Sequence, residues 1–413
     1  MALIRPFRAL RPRTDLAGEV AALPYDVYSR DEAREKVEGD SYSFLRIDRP
    51  ETQFDEGCDM YAPCIYQKAD EMLRQMEADG IFVQDERACY YIYELVMNGR
   101  AQTGLVACSS VDDYINGVVK KHENTRKDKE EDRVRHVDVC SAQTGPIFLA
   151  YRAQDEVRGI LEAGKEKAPV CEFTADDGVV HRVWVIEEET HIRKLTEAFS
   201  KMGHTYIADG HHRAASAVRV SLKRREAHPG YTGEEEYNYF LSVLFADEEL
   251  MIMDYNRVLK DLNGYAEEEV LNKLKDSCTV EDMGKEAYRP EGKGEFGFYL
   301  NKTWYRLQVK TEHCLKDPVG SLDVAFLQRE ILEPVFGIMD PKTDSRIDFV
   351  GGIRGLQELE RRCQTDCACA FAMYPTSIGE LFDVADADLL MPPKSTWFEP
   401  KLRSGLFIHK IER

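Results

Sequence analysis

The sequence has no apolar run approaching a membrane span, and its N-terminus, MALIRPFRALRPRTD, carries arginines without the apolar core of a signal peptide. A cytoplasmic protein without membrane partners is expected. Gly/Ser, Gln/Asn and proline-rich tracts are missing as well: 27 glycines and 16 prolines are scattered over 413 residues, which excludes long flexible arms. Positive charge is scarce, with 55 Lys and Arg against 75 Asp and Glu and a formal net charge of -20. Such a surface repels phosphate backbones on average, which speaks against nucleic acid as a partner. The one basic cluster, KKHENTRKDK at 120–129, runs straight into Glu130, Glu131 and Asp132 and reads as a solvated loop. The eleven cysteines are odd in number and irregular in spacing, so no disulfide framework is expected. The tightest group, Cys363, Cys367 and Cys369, has no CxxC and no nearby histidine, and its alternation to Phe371 reads as a strand with buried thiols.

What remains is a globular composition, 43% hydrophobic and 31% charged, in a chain long enough for two domains. Ser29 with Glu32 three residues on has the pattern of a capped helix start. Tyr61, Ile65, Ala69, Met72, Leu73 and Met76 recur at helical spacing and are closed by Asp79 and Gly80. Asn98-Gly99 separates two apolar runs and predicts a hairpin. SYSFLRIDRPE, 41–51, reads as a strand ending at Pro50. Hairpins mixed with strand-helix units and no internal repeat predict an α/β (mixed α+β) fold. Its organisation is read as an N-terminal region over 1–235 and a C-terminal α/β region over 236–413 that ends in MPPKSTWFEPKLRSGL.

The densest chemistry lies in HTYIADGHHRAASA, 204–217. Residues 205–208 are apolar and extended, Gly210 permits a positive φ, and the alanine-rich run after Arg213 favours a helix. The turn therefore presents a helix N-terminus, whose free amides and positive dipole end join the Arg213 fork in suiting a phosphate or carboxylate. The blander alternative makes Asp209 a helix cap and leaves the histidines bonding nearby carbonyls. His211 and His212 alone make a poor metal site, since adjacent side chains diverge; Asp209 or His204 would have to join them.

ADGHHR followed by a small-residue helix resembles the phosphate-binding box of the ParB/sulfiredoxin superfamily, which includes free serine kinases, CTP-binding ParB clamps and ATP-using sulfiredoxins. With PYDV (24–27), KHENT (121–125), Asp132-Arg133, LDV (322–324) and MPPKSTWFEPKLRSGL (391–406), nearly the whole chain resembles the family called domain of unknown function 1015. Two departures discriminate among the relatives. His211 stands where a sulfiredoxin-like reductase needs cysteine, and the segment after Arg225 continues into HPGYTGEEEYN where ParB proteins carry a basic helix-turn-helix. The resemblance thus implies a ParB/sulfiredoxin-like phosphate-binding core with a serine-kinase type of nucleotide box, and ATP or ADP with Mg²⁺ as cofactors.

A kinase must hold phosphates, neutralise charge and place a base beside the acceptor hydroxyl. The amides of Gly210 to Arg213 and the Arg213 side chain are expected to hold phosphate, Asp209 to help bind Mg²⁺, and His211 or His212 to reach an equatorial oxygen. Glu123, flanked by Lys121 and His122, is the first candidate base, because a carboxylate among cations stays ionised. Asp26, at a proline-bent strand end, is the second. Lys394 and Lys401, near Ser395, Thr396 and Arg403, are stiffened by three prolines and suit an anion site; the same segment equally suits packing of the C-terminus onto the first domain. Asn256 and Arg257 read as strand-end capping and Trp397 as core. The function expected is nucleotide-dependent phosphoryl transfer to a small hydroxylated metabolite, free serine or a related hydroxy acid, with the serine part implied by the resemblance; the alternatives are a nucleotide-binding switch and a phosphatase.

Overall fold

Asn98 and Gly99 both take positive φ, 52° and 79°, the backbone that suits the right-handed twist of two paired strands. They join Tyr90–Met97 to Arg100–Ser110 with Met97 opposite Arg100. In the computed structural model, which describes residues 1–412, this hairpin belongs to a nine-stranded mixed sheet. The chain divides into two compact units: residues 1–250 with 400–412, and Met251–Glu399. No helix among the described residues is long and apolar enough to cross a membrane.

In the first unit the strand order runs Val119–Lys120, Thr205–Asp209, Ile147–Tyr151, Tyr239–Ala246, Arg100–Ser110, Tyr90–Met97, Val180–Ile186, Cys171–Thr174, with Ile4–Arg5 also pairing Arg100–Ser110. Ile92, Leu105, Leu149, Ile207 and Leu244 from this sheet pack with Leu195 and Phe199 of helix Glu189–Ser200 and with Ala214, Ala217 and Val218 of helix His211–Ala227. Small residues on the last helix let it lie close to the sheet, which fixes where its N-terminus comes to rest. Residues 400–412 thread back through this unit: Ser404 exchanges backbone bonds with Ala22, Ile408 with Leu10, and His409 pairs opposite Gln143.

Ser29 and Glu32 form the expected capping box on helix Arg30–Val37, and the apolar stripe from Ile65 to Met76 lies on helix Pro63–Ala78, with Tyr61 in the turn before it. Two segments differ from the sequence expectation. Within 41–51 the chain forms a short helix, Leu45–Asp48, in place of a strand. The Asp40 carboxylate accepts from the amides of Tyr42 and Ser43, and the buried residues Phe44, Leu45 and Ile47 share one helical face instead of alternating. The basic cluster is loop only between Lys121 and Arg126: Lys120 ends strand Val119–Lys120, and helix Lys127–Cys140 starts inside the cluster. Its buried face is made largely of polar residues, Asp132, Arg133 and His136, so no apolar period announced it.

The second unit is an antiparallel six-stranded sheet in the order Cys278–Gly284, Thr303–Val309, Glu295–Leu300, Cys369–Met373, Tyr255–Leu259, Ile347–Gly351. Cys369 is buried on its strand, and all eleven cysteines are free thiols. Asn256 donates to Asp254 and accepts from the Met373 amide, 2.6 and 2.8 Å, a strand-end lock as expected.

Candidate functional site

Two strand ends build the site. Val119–Lys120 runs parallel to Thr205–Asp209, with Val119 opposite Thr205 and Lys120 opposite Tyr206. Parallel neighbours finish at the same edge, so KHENT and DGHHR emerge side by side although more than eighty residues separate them. Against its other neighbour, Ile147–Tyr151, the 205–209 strand shifts register between Ile207 and Asp209. Such an irregularity re-aims the strand end.

Gly210 then turns at φ 92°, ψ 32° and opens helix His211–Ala227. The first intrahelical bond is made by the Ala214 amide to the Gly210 carbonyl, so the amides of His211, His212 and Arg213 are the ones left for an anion. A methyl on Gly210 would meet the Arg213 guanidinium at 3.0 Å; glycine is what lets that cation fold over the turn. Arg213 also donates to the Pro146 carbonyl. On its inner side, a cavity of ≈ 30 Å³ between Tyr25, Asp48, Arg133, His136 and Thr144 has room for about one water.

Asp209 does not cap the helix. One carboxylate oxygen accepts from the Gly210 amide at 2.8 Å and the other from Lys401 Nζ at 3.0 Å. Burial would raise this carboxyl, but Lys401, Arg213 and the Gly210 amide outweigh it and hold it well below the usual carboxylate range. With both oxygens engaged and a lysine supplying the positive charge, Asp209 fits Mg²⁺ poorly, and no ion is assigned to it.

His122 and His211 are 2% and 7% exposed, with ring centroids 4.6 Å apart at an edge-on 85°. Burial pushes the His122 imidazole down to about 4, against a backbone bond to Ile207 and the Asp209 charge. Burial and the neighbouring His122 push His211 well below the ordinary histidine value. Both rings are therefore neutral at physiological pH. Glu123 is half-buried, and one ligand atom from each of His122, Glu123 and His211 lies within 4.8 Å of the others.

The remaining motifs frame this corner. Arg133 pairs with Asp132 at 2.8 Å and covers the Tyr25 ring at 4.1 Å, while Arg49 donates to the carbonyls of Tyr25 and Tyr28, each at 2.9 Å. That bracing holds the Pro24 bend and leaves Asp26 exposed next to it. Burial lowers His212, and the negative charge of Asp26 opposes the shift. The structure thus brings together Glu123, His122, Asp26, Asp209, Gly210, His211, His212, Arg213 and Lys401 in the first unit. Lys394 belongs to the second unit, at φ 60°, with its ammonium 5.6 Å from the Tyr255 ring and its carbonyl accepting from Arg257 at 3.0 Å. Sequence reasoning gave no role to Tyr25, Arg49, Arg133 or the Pro146 carbonyl; the motif pairs PYDV and Asp132-Arg133 were the only trace of the first and third.

None of the curated proteins compared matches the chain. Solved structures similar to it include a free serine kinase variant in complex with AMP, 13% identical over 75% of this chain and 92% of that one, TM-score 0.39. SbnI with a C-terminal truncation from Staphylococcus aureus is 12% identical over 71% and 82%, TM-score 0.38. A conserved hypothetical protein from Pyrococcus furiosus is 15% identical over 73% and 93%, TM-score 0.35. Likenesses this distant carry no weight in assigning chemistry to the site. The family model described as "Protein of unknown function (DUF1015)" matches residues 4–325, more than half of the sequence, and the chain belongs to that family.

Proposed function

We propose that the protein transfers a phosphoryl group between ATP or ADP and the hydroxyl of a small metabolite, with the Asp209–Arg213 turn holding the phosphate. The observation that carries this is the glycine-hinged helix start: three unpaired amides, the Arg213 guanidinium folded over Gly210, and Lys401 across Asp209. Fixed donors of this kind stabilise charge as it develops on a transferring phosphoryl group without having to reorganise. Asp209 orients Lys401 and ties down the Gly210 amide. Glu123, beside two neutral histidines, is the carboxylate assigned to the acceptor hydroxyl, with Asp26 the second carboxylate at hand. The nucleotide and a serine-like hydroxy acid as acceptor are taken from the resemblance of the ADGHHR box.

The test is incubation of purified protein with ATP or ADP, Mg²⁺ and a panel of hydroxyl amino acids and hydroxy acids, followed by mass spectrometry. A phosphorylated product is expected, with Arg213→Ala slowing its formation about 100-fold or more. Nucleotide binding without product from any acceptor would reduce the protein to a nucleotide sensor. Absence of both would overturn the proposal.

A further inference from the structure

His122 and His211 pose a problem that phosphate binding does not solve. Nδ1 of His122 and both ring nitrogens of His211 are buried without a hydrogen-bond partner among the described residues, and buried polar atoms are seldom left so. His122 also bonds to the backbone of Ile207. Since Nδ1 has no partner, that bond is made by Nε2, which fixes the tautomer with its lone pair on Nδ1. An imidazole held by one nitrogen with the other left bare is how proteins present a histidine to a metal ion. Glu123 is the next residue, and His211 stands across from it at the head of its helix.

We infer that His122, Glu123 and His211 bind one divalent transition-metal ion of the zinc class. Two imidazoles and one carboxylate suit Zn²⁺, Co²⁺ or Fe²⁺ and not Mg²⁺ or Ca²⁺, which take oxygen ligands. The ligating atoms, within 4.8 Å of one another, need to contract toward the roughly 3.4 Å separation that metal-ligand bonds near 2.1 Å impose in a tetrahedron. Three protein ligands leave at least one position open, as in sites that act on a ligand and unlike closed structural sites. His211 is common to both features: its amide belongs to the anion turn and its ring to the ion, so an anion held at the turn lies beside the open position. The inference does not depend on the proposed phosphoryl transfer and changes one assignment in it, the carboxylate that serves the acceptor hydroxyl. A Glu123 that holds an ion does not itself take a proton, and Asp26 is then the carboxylate left to serve the acceptor.

The test is metal binding by the full chain without nucleotide. Purified protein is stripped with chelator, titrated with Zn²⁺ or Co²⁺, and followed by elemental analysis, thermal melting and the Co²⁺ visible spectrum. The wild type is expected to hold one equivalent, to melt at higher temperature when loaded, and to give a Co²⁺ spectrum without the thiolate charge-transfer band that a site on the exposed Cys64 or Cys314 would show. Glu123→Gln and His122→Gln are each expected to weaken binding at least tenfold. Glu123 is only half-buried, so its variant reads the site even where the histidine variant folds poorly. No equivalent in the wild type, a thiolate band, or unchanged affinity in Glu123→Gln would each overturn the inference. An ion bound as described with no phosphorylated product leaves the metal site standing and removes the transferase; product formed by protein that binds no ion does the reverse.

Discussion

At the scale of single residues, the site turns on how Asp209 is neutralised. The pair with Lys401 is mostly shielded, with side chains 32% and 15% exposed, and the carboxylate gains a second donor from Gly210. A double-mutant cycle of Asp209→Asn and Lys401→Met, followed by urea denaturation, is expected to give a coupling of about 1 kcal/mol after allowing for partial exposure. Additive effects would mean that the two residues ignore each other. Asp209, Gly210 and Arg213 were legible in the sequence because an apolar run, a glycine and an alanine-rich run dictate strand, hinge and helix in that order. Their partner was less so. Lys394 and Lys401 look equivalent in MPPKSTWFEPKLRSGL, yet Lys401 lies in the first unit and Lys394 in the second, a division that falls at Glu399 with no change in composition to mark it.

At the scale of elements, what the sequence withheld is the pairing that creates the site. Val119–Lys120 is a two-residue strand, too short to show a period, and only its parallel register with Thr205–Asp209 brings Glu123 to the turn. Helix Lys127–Cys140 was hidden for a different reason, since its buried face carries an ion pair instead of an apolar stripe. By contrast, the Asn98-Gly99 hairpin and the Ser29 capping box were plain, because local backbone chemistry decides them. One strand makes a pH prediction. His181, fully buried on Val180–Ile186, accepts from Arg403 on Nε2 at 3.2 Å, so its Nδ1 carries the proton and donates to the Tyr93 hydroxyl at 2.8 Å. Burial first, then Arg403, pushes its imidazole down to about 3, while Asp177 opposes the shift. The folded state therefore keeps it neutral while the unfolded chain protonates it near pH 6.5, so this contribution is intact above that pH and drains away as pH falls toward 3. Between pH 7 and pH 5 urea melts are expected to lose about 2 kcal/mol from this group. His181→Phe is expected to reduce the pH slope by this group's share, the remainder belonging to the other buried histidines such as His122 and His211; an unchanged slope would contradict the assignment.

At the scale of the whole molecule, the acidic chain concentrates its useful positive charge at one place. The net charge is -20, yet the helix start, Arg213 and Lys401 converge within the first unit, supplied by segments some two hundred residues apart. An anion drawn there enters against the average field of the protein, so its affinity must come from the local donors, and it must weaken when their geometry is spoiled. Gly210→Ala does that without removing a charge: it forces a side chain into left-handed backbone, at a cost of about 1–2 kcal/mol, and its methyl meets the Arg213 guanidinium. The decisive measurement is calorimetric titration of inorganic phosphate and of ADP into wild type and Gly210→Ala, with a thermal melt to confirm that both are folded. Binding of both ligands by the wild type, weakened at least tenfold in a folded Gly210→Ala, is the expected result. Equal affinity in the two proteins, or no binding by the wild type, would contradict a phosphate grip at this turn.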